Sequence, residues 1–228
     1  TTLIAGVFNN PDAPLINRAI SSSYPPASVF KIVVAVAALE LKKINPSSSF
    51  LCQGSTMFGA RKFSCWDTHG EQDIFQAIAH SCDVFFYKSG LLTGAQNIHD
   101  YALKLGLGKN VGFELPYETS GFIPSPLWRK INKFQSWFDG DTANLAIGQG
   151  DCLVTPLQAA NMMAAFANGG YLTSPYIVKA VGGLDLRAKK KKLTAVNFKK
   201  SSFDVLSKGL RKVVSDAKGT GDVLAALP

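Results

Sequence analysis

The strongest constraint on this chain is an unbroken apolar run, Ile32-Val33-Val34-Ala35-Val36-Ala37-Ala38-Leu39. It lies inside Ser28 to Lys43, a stretch with no Gly or Pro to interrupt a helix. A helix that is apolar all round has no face for water, so the rest of the molecule must wrap it. The run falls far short of the roughly 20 residues that span a bilayer, which predicts a core helix. Pro25-Pro26 sets a sharp entry to it. The chain has 228 residues, 46% of them hydrophobic. A chain of that length buries about 70% of its unfolded surface and needs neither disulfide nor metal to build a core. The 15 Phe exclude disorder, and four Cys are too few for a disulfide scaffold. Thr1-Thr2-Leu3-Ile4 has no Met and no basic stretch to open a secretory leader. The chain therefore reads as a soluble piece of something larger.

The formal charge of +8 is local. Residues 179 to 218 hold 12 Lys/Arg and 3 Asp/Glu, whereas the remaining residues hold 12 and 13. Its centre, Arg187-Ala188-Lys189-Lys190-Lys191-Lys192, is a plain run beside Gly182-Gly183 without interleaved aromatic or polar readers. That pattern reads as a solvated loop rather than a nucleic-acid or membrane contact.

Other segments follow from their punctuation. Asn9 to Pro26 reads as a long loop and Asn45 to Asp73 as irregular. A helical period spans Ile74 to Leu92, with a break at His80-Ser81-Cys82-Asp83, where helix formers are poor. Ala95 to Leu105 reads as an amphipathic helix stopped by Gly106, and Gly112 to Gly150 as loop-rich. Thr155-Pro156 caps and starts a helix that ends at Asn168-Gly169-Gly170. Tyr176 to Val181 is a candidate short strand, and Phe203 to Val214 a last amphipathic helix.

Two constellations carry nucleophile chemistry. In Ser28-Val29-Phe30-Lys31 the hydroxyl and the amine are three residues apart, on one face of a helix. Apolar surroundings disfavour an ammonium and favour an amine that can take a proton from a hydroxyl. The helix N-terminus favours negative charge developing nearby. The plain alternative is a first-turn Ser beside a Lys that snorkels to water. In Ser81-Cys82-Asp83, at the helix break, Ser81 can pass a proton and Asp83 can pair with Lys31; the alternative is an ordinary cap.

Cys52, Cys65, His69 and Cys82 form a third group. Three thiolates and an imidazole suit tetrahedral zinc, and Cys82 would tie such a site to the loop that presents Ser81 and Asp83. A Cys52–Cys65 disulfide or buried free thiols explain the same residues. Cys152 reads as a core thiol, and His80 and His99 as structural.

Together with their flanks, these motifs are recognisable. Asn17-Arg18-Ala19-Ile20, Tyr24-Pro25-Pro26-Ala27-Ser28-Val29-Phe30-Lys31 and Ser81-Cys82-Asp83-Val84-Phe85-Phe86-Tyr87 resemble the transpeptidase domain of class B penicillin-binding proteins. So do Gly106-Leu107-Gly108, Gly140-Asp141-Thr142-Ala143-Asn144-Leu145-Ala146-Ile147-Gly148-Gln149-Gly150, Val154-Thr155-Pro156-Leu157-Gln158 and Ala167-Asn168-Gly169-Gly170, in order. The likeness covers nearly the whole chain and is closest to the elongation-type branch, penicillin-binding protein 2; Asp83, where many relatives carry Asn, fits that branch. Ala27 stands where Gly is more usual, a replacement read as harmless.

The resemblance implies an α+β fold, a helical subdomain plus an antiparallel sheet flanked by helices. It is expected here truncated at both ends and therefore mostly helical, one partial domain over 1–228. It implies a D,D-transpeptidase acting on peptidoglycan stem peptides and acylated by β-lactams. Ser28 would be the nucleophile, Lys31 the base, Ser81 a proton relay and Asp83 a positioning residue. No cofactor is required for the chemistry, and zinc would be structural. Implied partners include a membrane-embedded glycosyltransferase of the elongation machinery and no nucleic acid. The implied location is the periplasmic face of a bacterial inner membrane, with the anchor outside this chain. The family's third motif, Lys-Thr/Ser-Gly on a strand, is absent; Lys218-Gly219-Thr220-Gly221 has the wrong order. That strand supplies half of an oxyanion hole, and losing one such donor costs about 10²–10³ in rate. Full competence is therefore not expected of these residues alone. A penicillin sensor or scaffold without turnover, or a D,D-carboxypeptidase or β-lactamase relative, is the alternative.

Overall fold

The computed structural model describes residues 6–185 and 193–226. The basic run Arg187 to Lys192 lies outside them. The expected core helix begins as a 3-10 turn, Ala27–Phe30, and continues as α1, Lys31–Glu40. Every residue of α1 from Lys31 to Ala38 is buried, as its all-round apolar sequence requires. Its last residue, Glu40, reaches across the molecule: its carboxylate accepts from the Lys199 amide and the Ser202 hydroxyl, at the start of the C-terminal helix.

The segment read as irregular instead holds four short strands: β1 Ser49–Cys52, β2 Ser55–Phe58, β3 Arg61–Ser64 and β4 Gly70–Asp73. β1 pairs antiparallel with β4, Cys52 opposite Gly70, and β2 with β3, Ser55 opposite Ser64. Each strand has four residues and few are buried, too short a span for period-2 alternation to declare itself. α2, Ile74–Ala79, is capped by Asp73, whose carboxylate accepts from the Gln76 amide at 2.8 Å. α3 spans Asp83–Thr93 and α4 Ala95–Lys104, and the break expected at His80 to Asp83 separates α2 from α3.

The loop-rich region also contains two helices, α5 Pro126–Lys133 and α6 Asp139–Ala146. α6 lies close against α3: a Cβ on Gly90 would come within 2.5 Å of the Ala146 Cβ. α7, Pro156–Ala167, has the expected start, with the Thr155 hydroxyl accepting from the Gln158 amide. The strand after it is Tyr171–Thr173, β5. Of the span read as a strand, only Ala180–Val181, β6, is one; it pairs with β7, Leu184–Asp185. β8, Leu193–Ala195, pairs with β5. α8, Lys200–Ser215, crosses α2, where Gly209 meets Ile78. A 3-10 turn, Asp222–Ala226, follows. Helices thus dominate the described residues, with only two-stranded antiparallel pairs beside them, and no described helix is long and apolar enough to cross a membrane.

Candidate active site

The 3-10 turn that opens α1 places Ser28 and Lys31. Residues three apart eclipse one another in this tight helix, which brings both side chains to the same side. The turn is anchored from behind: the Ala27 amide donates to the Gly148 carbonyl at 3.1 Å. Gly148 has φ +67°, and a Cβ there would sit 2.5 Å from the Ala27 carbonyl oxygen. Only glycine combines that backbone with that approach. Ala27 itself has φ +50°. The replacement read as harmless therefore carries a left-handed strain, of about 1–2 kcal/mol, that glycine would not.

Lys31 is 3% exposed, yet none of its capacity is wasted. Its Nζ donates to the Ser81 carbonyl at 2.8 Å and to Ser81 Oγ at 2.9 Å, and pairs with Asp83 Oδ1 at 2.6 Å. Ser81 Oγ in turn donates to Ser28 Oγ at 2.9 Å. Two segments distant in sequence, residues 28–31 and 81–83, thus close one chain of contacts, Ser28 to Ser81 to Lys31 to Asp83. Burial pushes the Asp83 carboxyl above its usual range, and the Lys31 ion pair works against that rise. Ser81 has φ +51°, the left-handed conformation that turns its hydroxyl out of the helix break.

Trp66, two residues after β3, was not singled out by its sequence context. Its Nε1 donates to the His80 carbonyl at 3.1 Å and to the Ser81 carbonyl at 3.2 Å. Thr220, also not foreseen, donates its amide to the Ala79 carbonyl at 3.1 Å. Lys218 to Gly221 forms a turn after α8 rather than a strand, in keeping with its reversed order. A cavity of about 220 Å³ opens beside Ser28, Lys31 and Ser81; Ile78, Phe86 and Thr220 are among its walls.

The cysteine group also assembles. Cys52 ends β1, Cys65 follows β3, His69 precedes β4 and Cys82 precedes α3, so the strand pairings converge all four. Their ligand atoms lie within 4.8 Å of one another. His69 Nδ1 is 3.6 Å from Cys52 Sγ and 3.5 Å from Cys65 Sγ. All four cysteines of the chain are free thiols. The Cys65 thiol is pulled down to about 4, chiefly by the hydrogen bond from Cys82, with the amides of Val84, Asp67 and Asp83 adding. The Cys82 thiol is pushed up by that same bond and by burial. Cys152 is elsewhere, fully buried, and its thiol is pushed up to about 12 by desolvation. His99 donates to or accepts from no site residue and contacts the Ile123 carbonyl at 3.1 Å. His80 contacts Gln72 Oε1 at 2.9 Å, and its ring lies parallel to that of His69 at 5.9 Å.

The Penicillin binding protein transpeptidase domain family matches residues 4–226. The chain belongs to this family. The peptidoglycan D,D-transpeptidase MrdA of Haemophilus influenzae is 31% identical over 222 residues, covering 94% of this chain and 34% of that protein. The chain thus spans about a third of the length of such relatives. Penicillin-binding protein 2 of Pseudomonas aeruginosa in complex with WCK 5153 superposes with a TM-score of 0.90 at 28% identity, over 99% of this chain and 50% of that one. The penicillin-binding protein 2 of Helicobacter pylori, in complex with MreC, gives 0.86 at 30% identity, over 96% and 40%. The penicillin-binding fold expected from the motifs is therefore present.

Proposed function

We propose that this domain is the acyl-transferring part of a peptidoglycan D,D-transpeptidase, with Ser28 as the nucleophile. The observation that carries this reading is the contact chain from Ser28 through Ser81 to Lys31 and Asp83, open to a cavity. Hydroxyls can donate or accept by rotating, so the same contacts serve proton transfer in the reverse sense. Ser28 Oγ forms a bond to the penultimate D-alanine carbonyl, and its proton passes by Ser81 to Lys31, which takes it as the neutral amine. Lys31 returns that proton, again by Ser81, to the nitrogen of the departing D-alanine. An amine from a second stem peptide then attacks the acyl carbonyl, its proton passes by Lys31 and Ser81 to Ser28 Oγ, and the ester bond breaks. Asp83 holds the Lys31 amine in place throughout. A β-lactam follows the first half only, its ring nitrogen remaining tethered. The protein that carries this domain would work on the periplasmic face of the inner membrane, beside a membrane-embedded glycosyltransferase.

The test is incubation with a fluorescent penicillin followed by intact mass measurement. One adduct per chain is expected, and none with Ser28→Ala. A Ser28→Ala variant that labels as well as the parent overturns the assignment.

We further propose that Cys52, Cys65, His69 and Cys82 hold a structural zinc ion. Three sulfurs and one imidazole are the donor set that zinc favours, and a tetrahedron with bonds of roughly 2.0–2.3 Å needs donors spaced about as these are. Cys65 already favours the thiolate that a metal requires. Bound zinc would supply no chemistry to the acyl transfer; it would fix Cys82 and with it the flanking Ser81 and Asp83. About one equivalent of zinc is expected in protein purified with reductant, and Cys52→Ser is expected to lower both zinc content and Tm. Less than about a tenth of an equivalent counts against the site.

A further inference from the structure

We infer that Trp66 is a positioning residue for Ser81, acting through the backbone of the α2–α3 break. The inference rests on the assignment of Ser81 above. The last carbonyls of a helix have no partners within it. Here the carbonyls of His80, which caps the end of α2, and of Ser81, the next residue, meet the same donor, the Trp66 Nε1–H, at 3.1 and 3.2 Å. The Ser81 carbonyl also takes Lys31 Nζ at 2.8 Å. The direction of this one carbonyl is thus set by two donors, one on each side. Ser81 is a non-glycine residue at φ +51°, a conformation that persists only where the surroundings impose it. With its φ and its carbonyl fixed, its Cβ is fixed too, and the contacts to Ser28 and Lys31 then select the rotamer that sets Oγ between them.

The indole is itself well placed for this task. Trp66 is 59% exposed, so its role in packing is small, while its N–H is fully engaged with protein. Its ring meets the His69 ring edge-on, centroids 5.0 Å apart. It follows Cys65 directly in sequence. The cysteine–histidine group therefore grips both ends of the linkage: Cys82 from within the break, and Trp66 from outside it. Without the indole N–H, the two carbonyls turn to water or to Lys31 alone, and the left-handed residue is free to relax. A displacement of about 1 Å at a reacting group costs on the order of 100-fold in rate.

Trp66→Phe tests this, since it keeps an aromatic ring beside His69 and removes the N–H, while the loss of the second ring costs little at a position that is 59% exposed. The measurements are the acylation rate at saturating fluorescent penicillin, the dissociation constant of the preceding non-covalent complex, Tm, zinc content, and amide hydrogen exchange by segment. The expected result is an acylation rate lower by about 10- to 100-fold, with binding within about 2-fold, unchanged Tm and zinc. Faster exchange is expected, confined to residues 80–83. An unchanged rate overturns the inference. So does weaker binding with an unchanged saturated rate, which would make Trp66 a ligand contact, or a loss of rate accompanied by lower Tm and faster exchange throughout, which would make it merely structural. If the parent is not acylated at all, the transpeptidase reading fails instead, and the exchange comparison alone decides whether Trp66 holds the break: no local change overturns that as well.

Discussion

Two helices of this domain obey opposite rules. α1 is apolar on every side and is buried along nearly its whole length. α5 carries a clear apolar stripe, Leu127 and Ile131 with Phe134 just beyond, yet none of its residues is buried. Phe134 is 90% exposed, at a left-handed helix end. What fixes α5 is mostly polar, with one ring contact, Trp128 on Phe122 at 4.5 Å between centroids. The Ser125 hydroxyl accepts from the Trp128 amide, Pro126 opens the first turn, Arg129 pairs with Asp141 at 2.7 Å and Lys133 with Asp151 at 2.8 Å. An apolar stripe therefore marks a face that could be buried, not one that is. A helix with no polar face leaves no such choice, and it is the second kind that carries Ser28 and Lys31.

Substitutions on the two helices should differ accordingly. Ile32→Ala in α1 is expected to cost about 2–5 kcal/mol in chemical denaturation, because its side chain is almost wholly buried, and it also widens the cavity beside Ser28. A smaller loss would mean that the α1 surroundings collapse easily and that the contrast with α5 is weaker than the burial implies. Gly148→Ala acts where α1 is anchored rather than packed. The added Cβ meets the Ala27 carbonyl oxygen at 2.5 Å and the Phe30 Cβ at 2.7 Å. It should cost about 1–3 kcal/mol, and it should slow penicillin labelling by displacing the turn that holds Ser28. Normal labelling in this variant would show that the turn is positioned by α1 alone. Leu127→Ala in α5 should lie within about 0.5 kcal/mol of the parent, since its side chain is already in water. A loss well above that would place α5 in a contact, and would make the two helices alike.

The site shows a similar division. Ser28 and Lys31 were legible because their geometry is local: a spacing of three within one helix start. Ser81 and Asp83 were legible as a helix break with poor helix formers, and the cysteine–histidine group by composition. Trp66 was not, because its partners are carbonyls of residues 80 and 81, and a backbone acceptor leaves no mark in the sequence. β1 to β4 escaped because four half-exposed residues are too few to display a period. α5 was hidden inside a region read as loop, although Ser125-Pro126 is a legible start signal. The strain at Ala27 depends on φ, which its neighbours Pro26 and Ser28 do not announce.

Short stretches of the chain are enough to dictate that a buried helix presents a hydroxyl and an amine on one side, that a helix breaks at Ser81, and that three thiols and an imidazole are available. Each of these follows from short-range periodicity or from the chemistry of the residue types. It takes the folded chain to put Ser81 between Ser28 and Lys31, Gly148 behind Ala27, and the three sulfurs and the imidazole together. Those relations join residues tens of positions apart, through strand register and close backbone approach, and neither is encoded in any single stretch of the chain.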